Sequence, residues 1–588
     1  MALRRGIALV FILIGLAVIV SIAGILVLYA LTARGPSVPE RATLVLRPGG
    51  ALLDRQPDDI VGQLAGRNAA SLRGFVESLQ KAKRDPRIAA LLVRPSTLET
   101  PFWGKLQELR DAIVDFRRSG KPVVAYLEYG GDREYYLASA ADRIFLLPTS
   151  PLDLTGIASY EIFLRGTLDR VGAYPDFLRI GAYKTAPNQL TERGFTPAHR
   201  EMAESLNRDL YDQLVGTIAE ARRKTVDEVR RLLDEGPFSA DAARRAGLVD
   251  ELGYLDELDD RVPALEGPDA GRRLVEESAY QRVSPAAAGI RPAARMAVLH
   301  LSGLIVSGRS TYDVVNGPAT GSDSVVEQLQ RIRDDDSVRA IVVRVDSPGG
   351  SAVASDVIWR ELTITRDSRP SRPLVVSMSD LAASGGYYVS MPAHVIVAQP
   401  ATLTGSIGIY AGKFALGAAM DKLGIATETV ASGRNADINS PFTPFTPEQR
   451  AKVGEYMESF YDGFVQKAAA SRRMRPAQLD AVAQGRVWTG RQAREVGLVD
   501  TLGGLDRAVA IAKERAGISA DEDVELVSYP PRRTLFETLA EELQSSSAPV
   551  WERLVTGADL RAIAALTAPL RLFRRGEPLA LMPGVFLR

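Results

Sequence analysis

Four short segments of this chain occur twice, in the same order and at almost constant separation. Phe195-Thr-Pro-Ala-His-Arg200 corresponds to Phe445-Thr-Pro-Glu-Gln-Arg450, Tyr211-Asp212 to Tyr461-Asp462, and Gly247-Leu-Val-Asp250 to Gly497-Leu-Val-Asp500, each 250 residues on. Tyr135-Tyr136 and Tyr387-Tyr388 are 252 apart. That order at that spacing marks a tandem duplication. The 588 residues are therefore expected to form two large homologous domains, 41–285 and 295–532. Residues 1–40 precede them, and a tail, 533–588, has no counterpart in the first copy.

Within each copy, apolar strands alternate with amphipathic helices. The first copy reads Thr43 to Leu46 as a strand, a helix ending near Ala82, Ile88 to Val93 as a buried strand, a helix from Trp103 to Arg118, and a strand from Pro122 to Leu127. The second repeats this with strands at Ala297 to Leu301, Ala340 to Val345 and Pro373 to Met378, and helices at Asp323 to Arg333 and Ser355 to Arg366. Continuous apolar strands between helices predict an α/β fold with parallel sheets and right-handed crossovers. The Pro-, Gly- and Ala-rich stretch from Leu265 to Pro292 is expected to join the copies. The tail, which mixes basic and apolar residues, is expected to pack on the body, on a partner or on the membrane.

Residues 6 to 33 carry no charge, and Gly6 to Leu31 is almost wholly apolar. At about 1.5 Å per residue a helix of that length crosses the hydrocarbon core, whereas a cleavable signal has an apolar region of only about 7–15 residues. Arg4 and Arg5 before it place the N-terminus in the cytoplasm and the bulk of the chain outside. A single-pass signal anchor is expected. Lys+Arg and Asp+Glu balance at 72 each, so no basic excess points to nucleic acid. The absence of cysteine excludes disulfides and thiol nucleophiles.

Divergence between the copies isolates the residues that carry chemistry. Ser406 lies in Leu403-Thr-Gly-Ser-Ile-Gly408, between glycines that let a carbonyl approach its hydroxyl; Ile157 takes its place in the first copy, after Leu154-Thr-Gly156. Aligning Gly172 with Gly424 sets Lys184, in Gly181-Ala-Tyr-Lys184, opposite Ala436. The first copy thus has the lysine and the second the serine, so each half is incomplete alone. A serine needs a base to become a nucleophile, and lysine becomes one when burial lowers its pKa. Asp346-Ser-Pro-Gly-Gly350 closes a strand and is expected to open a helix, offering the Gly349 and Gly350 amides as an oxyanion hole; the first copy has Arg94-Pro-Ser-Thr97 there. Ser384, followed by Gly385 in Ala382-Ala-Ser-Gly-Gly386, is a rival nucleophile or a support for the lysine. Of the three histidines, His300 and His394 fall in strand patterns and His199 at a helix start, so a Ser/His/Asp triad or a zinc site is disfavoured and no cofactor is expected.

These motifs together with Ala383-Ser-Gly-Gly-Tyr-Tyr388 resemble the long, two-repeat form of bacterial signal peptide peptidase A, in peptidase family S49. The similarity covers about Arg41 to Tyr529. The resemblance implies a ClpP/crotonase type of fold in tandem, Ser406 as nucleophile, Lys184 as general base and an oxyanion hole at Gly349 and Gly350. It further implies a homotetramer in the bacterial inner membrane that degrades remnant signal peptides and other apolar peptides. On that assignment Ser406→Ala abolishes activity and Ser384→Ala reduces it. Pro187 and Asn188 depart from the small or acidic residues expected after the lysine. An acyl-CoA-handling protein and a non-catalytic membrane scaffold are the readings from other classes.

Overall fold

A computed structural model describes residues 37–54, 71–258, 273–313, 317–531, 578–582 and 586–587, with five positions between 15 and 24. The expected anchor falls outside the described residues apart from those positions. Among the described residues no helix is long and apolar enough to cross a membrane.

The two copies fold into two parallel sheets with the same strand order. In the first the order is Leu274–Glu276, Ala42–Leu46, Ile88–Val93, Val123–Leu127, Arg143–Leu146, Glu251–Leu252. In the second it is Val524–Tyr529, Ala294–Ser302, Val338–Ser347, Leu374–Ala383, Val395–Ala398, Thr501–Leu502. Every neighbouring pair in both series is parallel. Both faces of the central strands are buried, which is why they read as unbroken apolar runs. Leu44, Leu91, Ala125 and Ile144 form one face of the first core, and Leu299, Val343, Val376 and Ile396 the corresponding face of the second.

Local signals explain the twin elements. Helices Pro197–Arg222 and Pro447–Arg472 each start with a threonine cap, Thr196 or Thr446, followed by proline at the first turn. The repeated tyrosines tie each short helix to its sheet: Tyr135 Oη donates to the Leu248 carbonyl at 2.7 Å, and Tyr387 Oη to the Leu498 carbonyl at 3.0 Å.

Two segments differ from expectation. Leu274–Glu276, the edge strand of the first sheet beside Ala42–Leu46, comes from the expected joining stretch, at a place already inside the first domain as bounded, 41–285. The composition of that stretch hid a strand only 3 residues long, whose order comes from pairing. In the second copy, Gly349–Ser351 is itself a short strand, and the helix starts one step later at Ala352. Ser351 caps that helix, its Oγ accepting from the Ala354 amide at 3.0 Å.

A third, mixed sheet welds the copies together. Tyr174–Ile180 of the first copy runs antiparallel to Ile409–Ala415 of the second over seven paired positions. Next to Ile409–Ala415 lies Leu579–Leu581 from the tail, and beyond it Gly349–Ser351. Leu579–Leu581 of the tail therefore packs on the body. A buried ion cluster adds to the weld: Arg344 of the second copy reaches Asp54 at 2.7 Å and Glu108 at 2.9 Å, and Lys105 reaches Asp346 at 2.7 Å and Asp380 at 3.1 Å.

Candidate active site

Lys184 comes from the turn that ends strand Tyr174–Ile180, and this turn is docked on the other copy. The Tyr183 amide donates to the Gln484 carbonyl at 2.8 Å. Gly485 lies so close that a Cβ there would stand 2.5 Å from Lys184 Cα. Only glycine permits that approach, so Gly485 fixes where the lysine backbone sits.

Ser384 occupies the sharp turn between strand Leu374–Ala383 and helix Gly385–Ser390, with φ 56° and ψ −111°. A serine held in that region stores about 1–3 kcal/mol of strain, and its surroundings must over-determine it. They do so through two bonds: its amide donates to the Gly405 carbonyl at 2.8 Å, and its carbonyl accepts from the Tyr388 amide at 2.8 Å. Ser406 follows strand Leu403–Gly405 and also has positive φ, 51°, its amide donating to the Arg486 carbonyl at 2.7 Å.

These elements converge on one ammonium or amine. Lys184 Nζ stands 2.7 Å from Ser384 Oγ, 3.0 Å from Ser406 Oγ and 3.1 Å from the Ser406 carbonyl oxygen. All three residues are fully buried. Burial alone pushes the Lys184 pKa well below the usual lysine range, with no carboxylate opposing it. A neutral amine can donate two hydrogens and accept one, which matches three oxygen neighbours when one hydroxyl donates to it.

The two glycines of Asp346-Ser-Pro-Gly-Gly350 border the same spot but differ in use. The Gly349 amide is already donated to Ser347 Oγ at 3.1 Å. A Cβ on Gly349 (φ 103°) would lie 2.7 Å from the Gly385 nitrogen and 2.0 Å from the Ala580 carbonyl oxygen. The tail strand runs antiparallel here, pairing Gly350 with Ala580. The Met582 amide donates to the Pro348 carbonyl at 2.9 Å and the Ala352 amide to the Pro578 carbonyl at 3.3 Å. Hydrogen-bonded pairs alternate in such a ladder, so Gly350 and Ala580 form the bonded pair between these two.

Every residue singled out from sequence thus falls in one place: Lys184, Ser384, Gly385, Ser406, Gly349 and Gly350. Sequence reasoning missed Gln484-Gly485 and the tail strand. The alternation of Leu579 and Leu581 about Ala580 after Pro578 was the available signal, but a strand this short is invisible without its neighbours. The histidines lie elsewhere: His199 is paired with Glu161 at 2.7 Å, His300 stands 3.5 Å from Asp54, and His394 accepts from the Leu374 amide at 3.1 Å. Asn188 caps nothing at the site; it is buried and accepts from Arg179 at 2.7 Å. Among the described residues no group of His, Asp and Glu is arranged to hold a metal.

Comparison with known proteins gives the family. The family model described as Peptidase family S49 matches residues 115–267 and again 366–519. The chain is 33% identical to Serine protease SPPA, chloroplastic, of Arabidopsis thaliana over 85% of its own length and 74% of that protein. It is 33% identical to Protease 4 of Salmonella typhi, covering 76% of this chain and 72% of the relative. With Protease 4 of Haemophilus influenzae the identity is 30%, over 84% and 82%. Two family matches on two copies, and relatives that share most of the chain, establish that it belongs to peptidase family S49 and is a serine peptidase.

Proposed function

We propose that the peptidase works through a Ser/Lys dyad formed between the two copies, with Lys184 as general base and Ser384, rather than Ser406, as nucleophile. One observation carries the choice of serine: the carbonyl of an extended strand, Ala580, lies against Gly349 and Gly385, and Gly385 directly follows Ser384. A nucleophile must sit beside the carbonyl it attacks, and oxyanion donors must face the same oxygen. The strained strand-to-helix turn at Ser384 supports the reading, because strain of this kind gathers where a hydroxyl is presented. Ser406 is then the residue that orients Lys184 through its hydroxyl and carbonyl.

In the reaction, neutral Lys184 takes the proton from Ser384 Oγ as the oxygen attacks the substrate carbonyl. The Gly350 and Gly385 amides receive the developing negative charge, with Gly349 supplying the space. Lys184 then protonates the leaving amine, and water, activated in the same way, hydrolyses the ester. Leu579 and Leu581 mark the apolar pockets, formed with Phe177 and Tyr410. An extended apolar peptide with a small residue facing the serine is the substrate this groove suits. Remnant signal peptides, a membrane anchor at residues 6–31, a catalytic bulk outside the cytoplasmic membrane, a homotetramer and a ClpP/crotonase type of scaffold complete the proposal; they follow from the motif resemblance and from the apolar N-terminal segment.

The 3.0 Å contact of Lys184 Nζ with Ser406 Oγ keeps a second assignment open, with Ser406 as nucleophile. Labelling with a fluorophosphonate probe, followed by peptide mapping, decides between them. The adduct is expected on Ser384; an adduct on Ser406 reverses the roles.

A further inference from the structure

Arg486 holds both sides of the Lys184 site, one through its backbone and the other through its side chain. Its carbonyl accepts the Ser406 amide at 2.7 Å. Its guanidinium carbon lies 4.7 Å from the Tyr183 ring centroid and 4.5 Å from that of Trp488, so the side chain is stacked between the copies. Tyr183 is the residue before Lys184. Glu201, from the first copy's helix Pro197–Arg222, closes the arrangement. One of its carboxylate oxygens accepts from Arg486 Nη1 at 2.8 Å and the other from Tyr183 Oη at 2.8 Å. An exposed Arg–Glu pair usually contributes little, and the Glu201 side chain is 55% exposed. Two observations set this pair apart. The Arg486 side chain is only 17% exposed, held by two aromatic faces and a carboxylate, a planar contact that suits arginine and not lysine. At the offsets that pair the repeats, Arg486 corresponds to Gly236, Glu201 to Ala451 and Tyr183 to Asn435. None of the three is kept in the other copy, so they diverged together with Lys184 and Ser406.

We propose that Arg486, with Glu201 and Tyr183, is a positioning clamp that fixes Lys184 Nζ against the two serine hydroxyls. The inference rests on Lys184 as general base and holds with either serine as nucleophile. A lysine reaches its partners through a long, flexible stem, and a shift of about 1 Å in its backbone is enough to misplace the base. Gly485 packs against the Lys184 backbone, and the clamp anchors the residue before it by ring and hydroxyl, so the turn is held at two points. Burial alone lowers the Lys184 pKa, so the midpoint of the acidic limb reports how dry the site stays. A loosened turn admits water, and the midpoint then moves up toward the ordinary lysine value. Arg486→Ala removes a positive charge and Glu201→Ala a negative one. A direct charge effect on Lys184 would therefore move the midpoint in opposite directions, whereas loss of the clamp moves it up in both.

The test uses the full chain, purified from membranes in detergent, with a fluorogenic leucine- and alanine-rich peptide as substrate. Profiles of kcat and kcat/KM against pH are taken for the wild type, Arg486→Ala, Arg486→Lys and Glu201→Ala, with thermal unfolding as the check on folding. In both alanine variants kcat on the alkaline plateau is expected to fall by about tenfold, with KM changed by less than about twofold. The acidic limb is expected to move up by about one pH unit in both. Arg486→Lys, which keeps a cation between the rings, is expected to recover part of kcat. Folded variants with the wild-type kcat and midpoint overturn the inference. So does a fall in kcat with the midpoint unmoved, or a pair of midpoints that move in opposite directions. If Arg486→Ala does not fold, Glu201→Ala, at an exposed carboxylate, decides by the direction in which its midpoint moves. An acidic limb that survives Lys184→Ala overturns the general-base reading, and this inference with it.

Discussion

Lys184 Nζ lies 2.7 Å from Ser384 Oγ, although 200 residues separate them in the chain. The contact exists because strand Tyr174–Ile180 of the first copy crosses to pair with Ile409–Ala415 of the second. Neither copy holds both groups, so the duplication became a way of building one site from two diverged halves.

The two serines are expected to separate by kinetics. Ser384→Ala should lower kcat by about 10⁴-fold or more, as loss of a nucleophile does. Ser406→Ala should cost about 100-fold, the scale of a misplaced catalytic group. Steady-state hydrolysis of an apolar fluorogenic peptide measures both, and the opposite ranking sinks the assignment of Ser384.

As the proposed general base, Lys184 is expected to set the pH dependence. Its amine must be neutral to act, so kcat/KM should rise with pH through its depressed pKa, with the midpoint well below that of ordinary lysine. Lys184→Ala should lose about 10²–10⁴-fold in rate together with this acidic limb. A profile whose limb survives the substitution assigns it to another group.

The same group acts on stability. Between its folded pKa and the usual lysine value of about 10.4, the folded chain binds fewer protons than the unfolded one, so stability increases with pH across that window. Lys184→Met removes this slope, because no proton is then excluded by folding. Thermal unfolding followed from neutral to alkaline pH should show a flatter curve for the variant; identical slopes would mean the lysine is charged when buried.

Gly485→Ala tests the docking of the lysine turn. A Cβ there would stand 2.5 Å from Lys184 Cα and N, against backbone that cannot swing aside as a flexible side chain could. The φ of 77° adds strain for any other residue. A loss of about 100-fold in kcat is expected, with cooperative unfolding retained. Wild-type turnover in a folded variant would show that the turn has more freedom than this packing allows.

Arg344→Ala should destabilise the body rather than the chemistry. Arg344 is 1% exposed and faces Asp54 and Glu108, so its removal leaves buried carboxylates without a counter-charge. Breaking such a pair costs about 3–5 kcal/mol, visible as a lowered Tm. Burial already pushes the Glu108 pKa up to about 7, so one of the two acids can take a proton and soften the loss at low pH. A Tm within a degree of wild type would contradict the cluster's role.

Much of this architecture was legible in the chain itself. The repeated Phe-Thr-Pro, Tyr-Tyr and Gly-Leu-Val-Asp segments announce two equivalent domains, and unbroken apolar runs such as Ile88–Val93 announce parallel strands covered on both faces. Local periodicity and caps encode these, because they depend on neighbours a few residues away. Comparison of the copies singled out Lys184, Ser406 and the paired glycines, since a copy that lacks a residue reveals which one the chemistry needs; Ser384 is read from its own glycine-flanked turn.

What the tertiary structure decided is how those residues meet. Sequence ranked Ser406 above Ser384 through the motif resemblance alone, and both sit in glycine-rich turns; the proposed reversal rests on what stands beside each turn, and that depends on strands far apart in the chain. The use of Gly349, its amide already bound to Ser347, and the start of the helix at Ala352 likewise follow from pairing with a strand more than 220 residues away. Leu579–Leu581 is the extreme case. Three residues carry too little periodicity to declare a strand, and only the gap between Gly349–Ser351 and Ile409–Ala415 gives them hydrogen-bond partners and pockets.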